Sequence, residues 1–149
     1  MSTAKQIHDL YEQDAFKWYN ENAKLLREKK FELIDIENLA EEIESMGAHE
    51  RDKLESFLIQ LFLHLLKWKY QPSRRCASWE ISIKKQRRHA KRQINQNPSL
   101  KGVITEIVDH AYEDARDEAF EETSLELETF PEKMPFTFEE ALQDDWLPS

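Results

Sequence analysis

The run FLIQLFLHLLKW, residues 57–68, is the most apolar in the chain, yet it carries Gln60, His64 and Lys67. An imidazole and an ammonium inside a stretch built for burial must either take part in chemistry or be bonded within the core, because an unpaired buried polar group is costly. Asp14, with Glu118 or Glu122, falls on helix faces that could meet His64 in a polar pocket. A satisfied structural network is the stronger reading: His64 bonded to Asp14 or to a backbone carbonyl, with Lys67 reaching the surface. His64 is expected to be largely buried, with a carboxylate as its preferred partner. Its replacement by alanine is then expected to cost about 2 to 4 kcal/mol.

Other chemistries fail on spacing. A two-metal carboxylate site in a bundle needs two Glu-x-x-His pairs, and no histidine here has a glutamate three positions before it. One histidine with the carboxylates of the fifth helix is a weak cation set, so no metal and no cofactor are expected. There is no His-Glu-x-x-His, no phosphate loop and no dinucleotide fingerprint, and two glycines are too few for a cradle of backbone amides. Cys76 stands between Arg75 and Ala77 without a base to activate it. No catalytic motif is recognisable.

The second candidate is the basic helix IKKQRRHAKRQ. Its cations take the angular order Arg87, Lys91, Lys84, Arg88, Arg92, Lys85 over about 160° of the helix. Such a face can lie on phosphates, with Trp79 and Arg74 or Arg75 available for stacking. It can equally be neutralised by the acidic second and fifth helices, which is the stronger expectation, or dock on an acidic protein. Under neutralisation, reversing Lys84, Arg88 and Lys91 destabilises the fold.

Five helices must position these groups. The first runs from about Ala4 to Glu28, opened by a capping box of Thr3 and Gln6. It buries Ile7, Tyr11, Trp18 and Leu25, with Asp14 in the middle of that face. The second starts at Asp35, with Ile34 and Leu39 as a hydrophobic staple, and ends at Gly47. The third, about His49 to Tyr70, stops ahead of Pro72. Its polar groups Lys53, Ser56, Gln60, His64, Lys67 and Gln71 form one stripe on an otherwise apolar surface, which makes it the central helix. The fourth follows Ser78, ends near Asn97 and has a narrow apolar edge of Trp79, Ile83, Ala90 and Ile94. Pro98 suits the first turn of the fifth, which runs to about Thr123. Its apolar face continues into Asp114, Glu118, Glu121 and Glu122. The tail holds a short helix capped by Thr137 and Glu140, and Phe130, Phe136, Phe138 and Trp146 to dock it.

Composition agrees with long helices. The 149 residues are 40% hydrophobic and 34% charged, with two glycines and five prolines. That length suits one domain, 1–149, with the tail 124–149 packed on the bundle. The single cysteine, and the lack of a signal peptide or a spanning helix, point to the cytoplasm and away from a membrane. Residues 67–93 hold ten basic side chains and one acid, a charge of +9 on a chain of -9, so the remainder is -9 - 9 = -18.

The pieces NLAEEIESMG, HLLKWKYQP, NPSL, AYEDARDEAFEET and FPEKMPF together resemble the family known as domain of unknown function 29, abundant in cyanobacteria, from Tyr11 to Trp146. The resemblance implies a compact all-helical fold and carries no activity with it. Matching positions include Glu41, Glu42, Glu44, Gly47, His64, Lys67, Trp68, Pro72, Trp79, Arg88, Tyr112, Arg116 and Glu122. The polar ones are candidates for a shared site or for a buried network. The leading expectation is an all-α interaction or regulatory module with a protein partner. The alternative is a nucleic-acid-binding protein or phosphodiester hydrolase that uses the basic helix for phosphate.

Overall fold

The capping signals act where they stand in the sequence. Thr3 and Gln6 exchange bonds at the start of α1 (Ala4–Gln13), and Thr137 and Glu140 do the same at α6 (Phe138–Leu142). Between them the computed structural model, which describes residues 2–149, places α2 (Ala15–Arg27), α3 (Ile36–Tyr70), α4 (Ala77–Gln96) and α5 (Ile104–Thr123). Short 3-10 turns join them, and the described residues contain no strand. The protein is all-α, with the C-terminal segment packed on helices. The chain forms two compact units, Met1–Ala48 and His49–Ser149.

In the first unit the expected long helix breaks at Asp14. This residue leaves helical geometry at φ -157° and ψ 85°, and its carboxylate caps α2 by accepting from the Lys17 N–H at 3.1 Å. Asp14 is therefore exposed at a helix terminus, and not in the middle of a buried face. The break has a consequence. Tyr11 and Tyr19 are eight residues apart, which on one straight helix is about 12 Å along the axis and about 80° around it. Here both hydroxyls reach the same carboxylate, that of Glu42. The apolar core of this unit is small: Ile7, Trp18 and Leu25.

Gly47 terminates nothing, since α3 runs unbroken for 35 residues from Ile36 to Tyr70. Neither glycine has a positive φ. The left-handed positions belong to Lys29, Ser124 and Asp145, the first two just after α2 and at the C-cap of α5.

The second unit wraps the later turns of α3. Leu54, Leu58, Leu61, Phe62, Leu65 and Leu66 are fully buried, as expected of a central helix. Each such side chain contributes roughly 1.5–3 kcal/mol by leaving water. Around them stand Ile83, Ala90 and Ile94 of α4, Ile107, Ala111, Ala115 and Ala119 of α5, and Phe130, Phe136 and Ala141 of the tail. The tail is seated by aromatic pairs, Phe62 with Phe136 at 6.0 Å and Tyr70 with Phe130 at 5.6 Å. Side chains of the bundle also donate to its carbonyls: Arg116 to Phe130, Tyr112 to Pro131, and Arg87 to both Ala141 and Trp146.

Candidate functional site

His64 is half-buried, and its Nδ1 donates to the Gln60 carbonyl oxygen at 2.7 Å, one turn back on its own helix. Its partner is thus a backbone carbonyl and not the expected carboxylate. The nearby Glu118 carboxyl is pushed above its usual range by burial and by the charges of Glu122, Asp114 and Glu121. Lys67 Nζ lies 2.9 Å from Glu122 and 5.0 Å from the Trp79 ring centre, an ion pair and a cation–π contact shared by one ammonium. Arg116 holds the tail through the Phe130 and Leu127 carbonyls. Asp14 caps α2 and Glu42 serves two tyrosines. Of the polar residues singled out in the sequence, the structure thus joins Lys67 with Glu122, while Asp14, Glu42, His64 and Arg116 each bond elsewhere. Among the described residues no group of three or more His, Cys, Asp or Glu side chains is placed to hold a metal ion.

On α4 the basic residues divide into two kinds. Arg87 is 2% exposed and committed to the tail, its Nε donating to the Ala141 carbonyl and its Nη2 to that of Trp146, both at 2.8 Å. Lys91 pairs with Asp144 at 2.8 Å. Lys84 has only Glu80, one turn before it, at 4.0 Å. Neither carboxylate comes from the second helix of the sequence reading (35–47) or from the fifth, which were expected to supply the neutralising acids. Lys85, Arg88 and Arg92 are exposed and form no ion pair among the described residues.

The first unit holds a network that sequence reasoning missed. The Asp35 carboxylate is buried and accepts from Trp18 Nε1 at 2.8 Å, Asn38 Nδ2 at 2.9 Å and His8 Nδ1 at 3.1 Å, while its own N–H donates to Asn22. Burial alone would raise this carboxyl, but the bonds from Asn38, Trp18 and His8 prevail and hold it below its usual range. The same bond, and the charge of Asp35, raise His8. Beside it, Tyr11 and Tyr19 donate to Glu42 at 2.6 and 2.8 Å, which lowers that carboxyl and pushes Tyr11 up to about 12. The signal available in the sequence was an N-cap aspartate followed three residues later by Asn38. The capping reading covered Asp35's backbone role but not its side-chain partners.

These contacts turn one side of the early α3 toward α1 and α2 and leave another side open. Ile36, Ile43 and Met46 are 64%, 59% and 59% exposed, with Leu39 half-buried between them. Their spacing of three, four and three residues is that of a coiled-coil seam. With Gly47 and Ala40 the stripe covers about 120° of the helix. Glu37, Glu41 and Glu44 flank it on one side and Glu42 on the other, with no lysine or arginine between residues 36 and 48. A Cβ built on Gly47 meets nothing within 4 Å.

A family model described as domain of unknown function DUF29 matches residues 10–147. The chain belongs to this family. No curated protein and no solved structure matches it. The DUF29 span takes in the stripe of α3, the Asp35 and Glu42 networks except for His8, and the whole basic face of α4. No helix among the described residues is long and apolar enough to cross a membrane.

Proposed function

We propose that the protein is an interaction module whose docking face is the acid-flanked apolar stripe of α3, Ile36 to Gly47, and that its occupant is a basic amphipathic helix of another protein. The observation that carries this reading is the concentration of exposed apolar surface. Three of the ten exposed large hydrophobic side chains among the described residues, Ile36, Ile43 and Met46, stand on this one stripe of α3. Contiguous apolar surface rimmed by charge marks docking sites more often than it occurs by chance. The charge favours one occupant over another. A second copy of this stripe would set glutamates against glutamates, whereas a helix with lysines beside its apolar seam would pair with them. Gly47 adds a close-approach point, because a glycine without a backbone role inside a helix costs about 1 kcal/mol relative to alanine. Burying Ile36, Ile43 and Met46 contributes roughly 1.5–3 kcal/mol each. Association costs roughly 4–15 kcal/mol. The complex is therefore weak and reversible, as befits regulation.

The test is fluorescence anisotropy with a labelled synthetic helix that carries leucines at coiled-coil spacing and lysines beside them. A scrambled peptide of the same composition is the control. The ordered peptide is expected to bind and the scrambled one not, with binding at least about tenfold weaker for Ile43→Ser. Equal binding of both peptides, or an unchanged Ile43→Ser variant, refutes the reading. So does a homodimer in light scattering that Ile43→Ser dissolves, since the occupant is then a second copy.

A further inference from the structure

The second unit carries a feature that the docking stripe does not use. Between α4 and the turn before the C-terminus lies an open cleft of about 740 Å³, lined by Lys84, Arg88, Lys91, Arg92, Asn95 and Asp144, among others. We propose that this cleft binds the phosphodiester backbone of nucleic acid, without regard to sequence.

Three observations support it. The first is the supply of uncommitted cations. Arg88 and Arg92 have no carboxylate partner among the described residues, and Lys84 has only the distant Glu80. An arginine left without a carboxylate presents its whole planar fork to a phosphate. The second is spacing. Lys84, Arg88 and Arg92 follow one another every four residues, so they run along one side of α4 for about 12 Å. One strand of a duplex places a phosphate about every 3.4 Å along its axis while winding around it, so the three cations of the row meet at most three phosphates. Asn95 continues the row with an amide that can donate to phosphate or sugar oxygens. The third is the local field. His89, packed on Phe57 at 5.1 Å, has its imidazole lowered first by burial and then by Arg88, Lys85 and Arg92. Three cations without a carboxylate partner thus act together on one ring of this helix, on a chain whose net charge is -9.

The shape of the cleft sets the mode. No aromatic side chain lines it, so bases have nothing to stack on and recognition rests on the backbone. Asp144, paired with Lys91, and Asp145 also line the cleft and oppose a flat anionic membrane, so a strand is held instead on the side of Lys84, Arg88 and Arg92. The net negative charge of the rest of the chain keeps the affinity modest and strongly dependent on salt.

The test is anisotropy with a labelled duplex of mixed sequence, titrated with the full-length chain at rising salt. Binding is expected at low salt, with a slope in the double-logarithmic plot of about -3 for three phosphate contacts. The double variant Arg88→Glu, Arg92→Glu should lose binding while circular dichroism stays unchanged. Lys101→Glu, an exposed cation outside the cleft, should bind as the wild type does. If the double variant fails to fold, Arg88→Gln alone should reduce the slope by about one. Absence of binding at low salt overturns the proposal. Equal loss with Lys101→Glu does so as well, and polyglutamate competing on level terms would assign the cleft to an acidic protein instead.

Discussion

Replacing Gly47 by alanine gives opposite signs under two descriptions of the same residue. If Gly47 closed a helix in the left-handed conformation, a Cβ there would cost about 1–2 kcal/mol. In the structure it stands inside the 35-residue α3, without a positive φ, and an added Cβ meets nothing within 4 Å. Alanine then introduces no clash and removes the extra backbone freedom that glycine loses on folding. The expected effect is a stabilisation of about 0.8–1 kcal/mol. For a chain of this size that is a rise in Tm of roughly 3 °C, read by circular dichroism, with a matching shift of the urea midpoint. A lower midpoint would refute the continuous helix and restore Gly47 as its terminator. The same methyl stands on the docking stripe, so the stabilised variant should also bind the basic helical peptide more weakly. Stability and docking would then move in opposite directions.

Two further substitutions probe the rest of the fold. Arg87→Met should cost about 2–4 kcal/mol and expose the tail to limited proteolysis, because it strands the Ala141 and Trp146 carbonyls; an intact tail would show that these bonds do not seat it. The His8–Asp35 pair should shape the pH dependence of the first unit. His8 is raised on folding, so its contribution is complete below about pH 6.5 and is lost as pH rises through its raised value. Asp35 is lowered, so its contribution is complete above about pH 3.8 and is lost as pH falls through its lowered value. The unit is expected to be most stable between those limits. An NMR titration of His8 should fall back to the ordinary histidine range in Asp35→Asn, and an unchanged titration would dismiss the pairing.

The helical class, both capping boxes and the apolar later turns of α3 were legible in the sequence because each depends on neighbours within about one turn. Thr3 reaches Gln6 and Thr137 reaches Glu140 whatever the rest of the chain does. The three-to-four-residue period of Leu54, Leu58, Leu61 and Leu65 likewise encodes burial without naming what covers it. Interruptions and continuities were harder to read. An aspartate inside an apolar period does not reveal whether the chain will break there, and the break at Asp14 is matched to Tyr11 and Tyr19 converging on Glu42 from two helices. A glycine after an amphipathic run usually ends a helix. Here the chain instead uses Lys29 and Ser124 for its left-handed positions and leaves Gly47 in the helix.

The sequence by itself determined the inventory: an all-α chain, a segment of +9 among acidic neighbours, a central apolar helix and a tail with enough aromatic surface to dock. Tertiary structure alone decided what each charge and each apolar side chain would meet. Arg87 and Arg88 are adjacent in a uniformly basic run, yet one is buried under two tail carbonyls and the other is open to solvent. Ile36 and Leu58 read alike as apolar helix positions, yet one is 64% exposed and the other fully buried. The physical reason is that period and propensity act within a turn or two of helix. Burial and pairing are set by whichever distant segment comes to lie alongside, and a single sequence does not carry that information locally.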